Sequence, residues 1–216
     1  MRRVTKTYPE VRHLMRPGDI IAFGGTGELS IQIKSLTKAP VSHIGIVRHT
    51  QMVDDDDDGR FFNEIIESTS LEDFIGVSVS QLSSRLKYYK GETWWLPLSS
   101  DSRKKLELPV FFNWLYSQEG KPYDFFQAIQ SGLDPEKIHP WLGLLTTAKE
   151  DFSKQFCSEL AAGALEEGGV LPSINASEVT PIDLCRMAIY ADTYYQLRGN
   201  DLEISRFNMV PAESFA

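Results

Sequence analysis

The chain has 216 residues, of which 42% are hydrophobic and 11% aromatic, which is enough apolar material for a packed core and excludes wholesale disorder. Lys and Arg number 22 and Asp and Glu number 30, so the formal net charge is −8. An acidic chain lacks the basic face that sequence-independent nucleic-acid binding needs, so we expect no nucleic-acid partner, and the length predicts a single domain over residues 1–216.

The first part of the sequence predicts a helix among several strands. The turn residues PGD precede an apolar run, Ile20–Phe23, that predicts a strand. The cluster Gly24–Gly27 indicates a strand-to-helix turn, because no GK[ST] follows to complete a phosphate-binding loop. A helix is expected at Ser30–Lys38. Further strands are expected at Val41–Val47, Phe61–Ser68 and Ile75–Val79, and the acidic run Asp54–Asp58 indicates a solvated loop.

The second part changes from strand to helix periodicity. A strand is expected at Leu86–Pro97, around a Lys90-Gly91 turn. A helix containing Leu106, Phe111, Phe112 and Leu115 is expected to follow a cap at Ser100 or Asp101 and to be bent or delayed by Pro109. Two more helices are expected at Phe125–Gln130 and Phe156–Leu165, with no clear assignment for Gly132–Gln155. Thr180 is the expected cap of a last helix, and the residues from Arg198 onward are expected to trail over the surface.

Cysteine content and hydropathy limit the class of protein. The two cysteines, Cys157 and Cys185, are too few for a disulfide framework and form no CxxC pair, so we expect no structural zinc. The basic N-terminal residues are followed by no apolar run, and no stretch approaches the roughly 20 apolar residues of a membrane span. We therefore expect a cytoplasmic protein without a membrane span or signal peptide; its oligomeric state has no signature in the sequence.

Cys157 is the first candidate for chemistry. It lies at the start of a predicted helix, where a thiol near a basic group is more readily ionised. The following small residues, Ala161–Ala164, let the helix lie close to a sheet. The alternative is a buried structural cysteine.

His43 is the candidate base for that thiol. On its predicted strand it shares a face with Gly45, which leaves room beside the imidazole. A base of this kind needs a third group to orient its ring, and Glu64 and Glu67 both lie on the next predicted strand. Because these glutamates are three residues apart, only one of them can face His43 in a regular strand. The alternative is a core histidine bonded to backbone.

Six short blocks that contain these residues occur in a characteristic order. They are RPGDII, SHIGIV, IIEST followed by IGV, GKPYDF, FCSEL and TPIDL, and they span about Arg16 to Leu184. In this order the sequence resembles the permuted papain-like cysteine hydrolases of the NlpC superfamily, in particular the YiiX/YebB-like group. The resemblance implies an α+β papain-like fold, with a small antiparallel sheet and the cysteine-bearing helix packed on it.

The resemblance also implies roles for particular residues. It places the nucleophile at Cys157, the base at His43 and the orienting acid at Glu67, the glutamate of the IIEST block. Tyr123 in GKPYDF matches an aromatic residue near the active site, and its hydroxyl is a candidate donor to a developing oxyanion beside the Cys157 backbone N–H. The opposing interpretation of Tyr123 is packing before a helix. His139 is a reserve candidate for the base.

The expected activity is cofactor-independent hydrolysis of an amide bond through an acyl-enzyme, with a small peptide, a peptidoglycan fragment or an acyl compound as substrate. Two alternatives stay open. One is a lipid thioesterase or acyltransferase, which an apolar groove would favour; its candidate residues are Phe125, Trp141, Leu142, Leu144 and Leu145. The other is an inactive binding module, which too large a separation of His43 from Cys157 would favour.

Overall fold

A computed structural model describes residues 1–52, 61–71, 74–121 and 155–216. These residues form a mixed α+β structure with seven strands and seven α-helices. The strands are β1 (Arg2–Thr5), β2 (Ile20–Gly25), β3 (His43–Met52), β4 (Phe61–Leu71), β5 (Phe74–Gln81), β6 (Gly91–Leu96) and β7 (Thr193–Arg198). The helices are α1 (Tyr8–Val11), α2 (Glu28–Thr37), α3 (Leu82–Tyr88), α4 (Ser100–Lys105), α5 (Leu108–Gln118), α6 (Gln155–Glu167) and α7 (Pro181–Arg186).

All seven strands belong to one sheet, in the order β1-β7-β6-β2-β3-β4-β5. Strands β2 to β6 pair antiparallel, as expected for the middle of the chain, whereas β1 pairs parallel with β7. The prediction of a small antiparallel sheet is therefore wrong in size, and one pair at the edge of the sheet, β1 with β7, is parallel. The parallel pair joins the two ends of the chain, and such non-local pairing has no local sequence signature.

Strand β2 lies at the centre of the sheet and is buried on both faces. Ile20 and Ala22 belong to one apolar cluster, with residues of α5, α6 and α7, while Ile21 and Phe23 belong to a second, with residues of α1 and α3. Full burial of a large apolar side chain stabilises the fold by about 1.5–3 kcal/mol. The continuous apolar run that predicted this strand is thus explained by helices covering both faces.

Asp19 fixes the entry to β2. Its buried carboxylate accepts hydrogen bonds from the backbone N–H groups of Arg16 and Leu98 and from Trp95 Nε1, and it pairs with Arg103. Burial raises the pKa of Asp19 in spite of the positive charge of Arg103. The aspartate of the RPGDII block therefore has a structural role, joining the turn before β2 to the end of β6.

Two regions depart from the predicted elements. The expected strand at Leu86–Pro97 begins instead as helix α3, because Leu82 and Leu86 lie four residues apart and are both buried against the sheet; β6 starts only at Gly91. The helix expected around Pro109 is two helices. Ser99, not Ser100 or Asp101, accepts the capping hydrogen bond at the start of α4, and Pro109 lies in the first turn of α5.

The expectation that the residues from Arg198 onward trail over the surface is wrong in part. Thr193–Arg198 is strand β7, and Ile204, Phe207 and Ala212 beyond it are buried in the apolar cluster. Thr180 caps α7, as predicted. The expectations for Asp54–Asp58, Phe125–Gln130 and residues 132–154 lie outside the described residues. None of the helices described is long and apolar enough to cross a membrane.

Candidate active site

His43 is the first residue of β3 and lies opposite Phe23 of β2 in the register of the sheet. The residue is 5% exposed, and its ring centroid lies 5.6 Å from that of Phe23. A polar ring in this position needs partners to offset the cost of burial.

Glu67 on β4 supplies one of these partners. Its Oε2 and His43 Nε2 lie 2.5 Å apart, and the carboxylate is 2% exposed. A Cβ placed on Gly45 would lie 3.3 Å from Ile65 Cδ1 on β4, closer than an ordinary van der Waals contact, so the glycine limits crowding between the two strands. The short contact between two buried groups is a charge-assisted hydrogen bond when His43 is protonated.

Glu64 lies away from this pair. The β3–β4 register shifts between Val47 and His49, and the extra residue, Arg48, donates through Nε to Glu64 Oε1 at 2.6 Å. Glu64 and Glu67 therefore have different partners, and only Glu67 contacts His43. Glu67 is also the glutamate that the resemblance implies, whereas residue spacing alone leaves both glutamates open.

Cys157 is the third residue of α6 and is 1% exposed. The backbone N–H of Ile44, the residue after His43, donates to Cys157 Sγ at 3.3 Å. Helix α6 packs against β3 and β4, and its residues Ala161, Ala162 and Ala164 are fully buried. The small residues allow a close approach that brings the thiol to the end of the histidine strand.

Charges of neighbouring groups act strongly on His43. Burial alone would lower its pKa, but the charge and hydrogen bonding of Cys157, together with those of Glu67, raise the pKa from 6.5 to about 9. Among the described residues, Nε2 is held by Glu67, and Nδ1 is buried. The imidazole therefore bonds to the carboxylate through Nε2, while the Cys157 sulfur raises the pKa of the ring.

Burial disfavours the ionised form of Glu67 as well, but His43 and Arg85 outweigh it and lower the pKa of this carboxyl to about 2. Arg85 on α3 donates through Nε to Glu67 Oε1 at 2.7 Å. Arg85 is not among the residues predicted from the sequence, because it lies before a segment, Leu86–Pro97, for which a strand was expected. The i, i+4 spacing of Leu82 and Leu86 is the signal that could have revealed the helix.

A cavity of about 530 Å³ adjoins His43, Glu67 and Arg85. Hydroxyl groups and one ammonium group from four parts of the chain help to line it: Thr26, Ser30, Ser78, Tyr88, Tyr89 and Lys90. These groups can donate to and accept from a peptide-like ligand that reaches the imidazole.

The second cysteine lies in a different environment. Cys185 is fully buried in α7, and burial raises the pKa of its thiol. Tyr123 and His139 lie outside the described residues, so the roles expected of them stay predictions. Within the described ranges, no group of three His, Cys, Asp or Glu side chains is arranged to hold a metal ion.

In comparisons with known proteins, no family model and no curated protein sequence matches this chain.

Proposed function

We propose that the protein is a thiol hydrolase that cleaves an amide bond of a peptide or peptidoglycan fragment, on a permuted papain-like scaffold of the NlpC type. The observation that carries the proposal is the position of His43. Its Nε2 is held by a buried carboxylate, and its pKa is raised by the sulfur of Cys157. A thiol, an imidazole and a carboxylate in this relation are the parts of a nucleophile, a general acid–base and an orienting group.

In the first half of the reaction, the Cys157 thiolate attacks the carbonyl carbon of the substrate. The carbon–nitrogen bond then breaks, and the His43 imidazolium gives its proton to the leaving amine. The product at this stage is a thioester on Cys157 and a neutral imidazole. The raised pKa of His43 supports this order, because the imidazole holds its proton at neutral pH until the leaving group needs it.

In the second half, neutral His43 takes a proton from water, and the resulting hydroxide attacks the thioester carbon. The carbon–sulfur bond breaks, a carboxylic acid leaves, and the thiolate–imidazolium pair is restored. Glu67 stabilises the imidazolium and orients the ring in both halves, since it contacts Nε2 directly. The proposed oxyanion donors are the Cys157 backbone N–H and Tyr123.

The substrate class is supported by the cavity beside His43. Its hydroxyl groups and Lys90 suit the amide and carboxylate groups of a short peptide. No cofactor takes part in the proposed steps, because the thiol, the imidazole and water supply every proton and electron pair.

The proposal is tested with p-nitrophenyl acetate, which requires no knowledge of the natural substrate. Wild-type protein should release p-nitrophenol continuously, and a quenched sample should carry acetyl on Cys157. Cys157→Ser should abolish both, whereas Cys185→Ser, which removes the buried thiol of α7, should retain both. Acetylation of Cys157 without turnover would indicate an inactive module, and the absence of acetylation would refute the proposal. Parallel assays with peptide amides and long-chain thioesters separate amidase from lipid thioesterase activity.

A further inference from the structure

A fourth side chain extends the row formed by Cys157, His43 and Glu67. Arg85 Nε donates to Glu67 Oε1 at 2.7 Å, and one of its terminal nitrogens donates to Oε2 at 3.3 Å. Both carboxylate oxygens thus accept hydrogen bonds from the guanidinium, and Oε2 also contacts His43 Nε2. This two-point contact fixes the plane of the carboxylate as well as its position.

The guanidinium is itself held in place. Its central carbon lies 5.2 Å from the ring centroid of Phe23 and 5.0 Å from that of Tyr89, which are cation–π distances. Leu82 and Leu86, on either side of Arg85 in α3, are buried against the sheet and anchor the helix. The donors of Arg85 are therefore positioned before any substrate binds.

Glu67 needs such a partner because it is buried. Burial favours the protonated form of a carboxyl group, and a protonated Glu67 cannot stabilise an imidazolium. The groups that face it are His43 from β3, Arg85 from α3 and the uncharged Ser78 from β5, with Tyr89 and Cys157 farther along the same cluster. Among these described residues, Arg85 is the one whose positive charge is permanent.

That permanence matters during the proposed reaction. His43 loses its charge when it protonates the leaving amine, and for that interval it no longer counters the charge of Glu67. Arg85 still does, so Glu67 stays ionised and keeps its hydrogen bond to Nε2 until the imidazole is protonated again.

We propose that Arg85 is a positioning residue that keeps Glu67 ionised and oriented throughout turnover, so that the reactive Cys157–His43 pair persists into acidic solution. The inference rests on the proposed function. It assigns a role to a residue that touches neither the thiol nor the reacting atoms and acts through Glu67.

The test is the rate of Cys157 alkylation by iodoacetamide as a function of pH. Arg85→Gln should move the acidic midpoint of this profile upward by about one to three pH units. This is the range by which a nearby opposite charge shifts the pKa of a carboxyl group. Arg85→Lys keeps the positive charge, so its alkylation profile should stay close to that of wild-type protein. Arg48→Gln is the matched control, because Arg48 is also an arginine between carboxylates but pairs with Glu64 and Glu119. It should leave the profile unchanged.

A double substitution separates positioning from a general structural role. In a Glu67→Gln background, Arg85→Gln should cause no further shift, because the group that it acts on is gone. The double variant lacks both charges, so it leaves no unpaired charge at the site. Its comparison with Glu67→Gln stays informative if Arg85→Gln alone does not fold. The inference would be overturned if Arg85→Gln alone kept the acidic midpoint of wild-type protein. It would also be overturned if adding Arg85→Gln to Glu67→Gln moved the midpoint by as much as Arg85→Gln does in the wild-type background. Unreactive Cys157 in wild-type protein would instead refute the proposed function.

Discussion

Replacing Glu67 by Gln tests the contact between this buried carboxylate and the His43 imidazole. The substitution keeps the shape of the side chain but removes the negative charge that lies 2.5 Å from His43 Nε2 and 2.7 Å from Arg85 Nε. The amide oxygen can still accept a hydrogen bond, so the ring keeps a partner, but the imidazolium loses its counter-charge.

The size of the effect follows from the contact. An opposite charge at this range shifts the pKa of a buried group by about one to three units, so the pKa of His43, now about 9, should fall. Each unit changes the ratio of thiolate–imidazolium to thiol–imidazole by tenfold, or about 1.4 kcal/mol. We therefore expect that ratio to fall by about 10- to 1,000-fold in Glu67→Gln.

The assay is the pH profile of Cys157 alkylation by iodoacetamide, with circular dichroism to check that the variant folds. The profile of Glu67→Gln should move to higher pH and turnover should fall. Glu64→Gln is the control, since Glu64 contacts Arg48 rather than His43, and its profile should match that of wild-type protein. A shift in Glu64→Gln without one in Glu67→Gln would refute the assignment of the third residue. No shift in either variant would reduce the site to a Cys–His pair.

Three further predictions concern reactivity and stability. Iodoacetamide should label Cys157 faster than Cys185, because burial raises the pKa of the Cys185 thiol; peptide mapping that shows preferential labelling of Cys185 would contradict this. Although burial opposes ionisation, His43 and Arg85 lower the pKa of Glu67 from 4.5 to about 2. The stability that the charge of Glu67 contributes is therefore present above about pH 4.5 and is lost as the pH falls toward 2. Urea unfolding should show the difference between wild-type protein and Glu67→Gln shrinking over that range, and a constant difference would count against the linkage. Gly91→Ala should destabilise the fold by about 1–3 kcal/mol, because φ is +130° and a Cβ would lie 2.2 Å from the Gly24 carbonyl oxygen; an unchanged melting temperature would show that the junction before β6 relaxes freely.

The central strands could be predicted because their signals are local. Ile20–Phe23 and Val41–Val47 are apolar runs rich in β-branched residues, and each overlaps an observed strand. Likewise, the three-residue spacing of Glu64 and Glu67 required that only one could face His43, since side chains alternate along a strand.

The missed features depend on contacts between distant parts of the chain. Strand β7 pairs with β1 from the opposite end of the chain, and its Gln196 is buried where it accepts from the backbone N–H of Leu202. Arg85 looks like any surface residue of a short helix until α3 is packed on the sheet. Its contact with Glu67 is set by that packing and has no signature within the local sequence.

The most direct test of the account is an NMR titration of the His43 imidazole in wild-type protein and in Cys157→Ser, with the resonance assigned by its loss in His43→Gln. The account predicts that His43 stays protonated up to about pH 9 in wild-type protein and titrates at distinctly lower pH in Cys157→Ser, because the sulfur raises the pKa of the ring. The same titration curve in both proteins would contradict the central claim that Cys157 and His43 form one reactive pair.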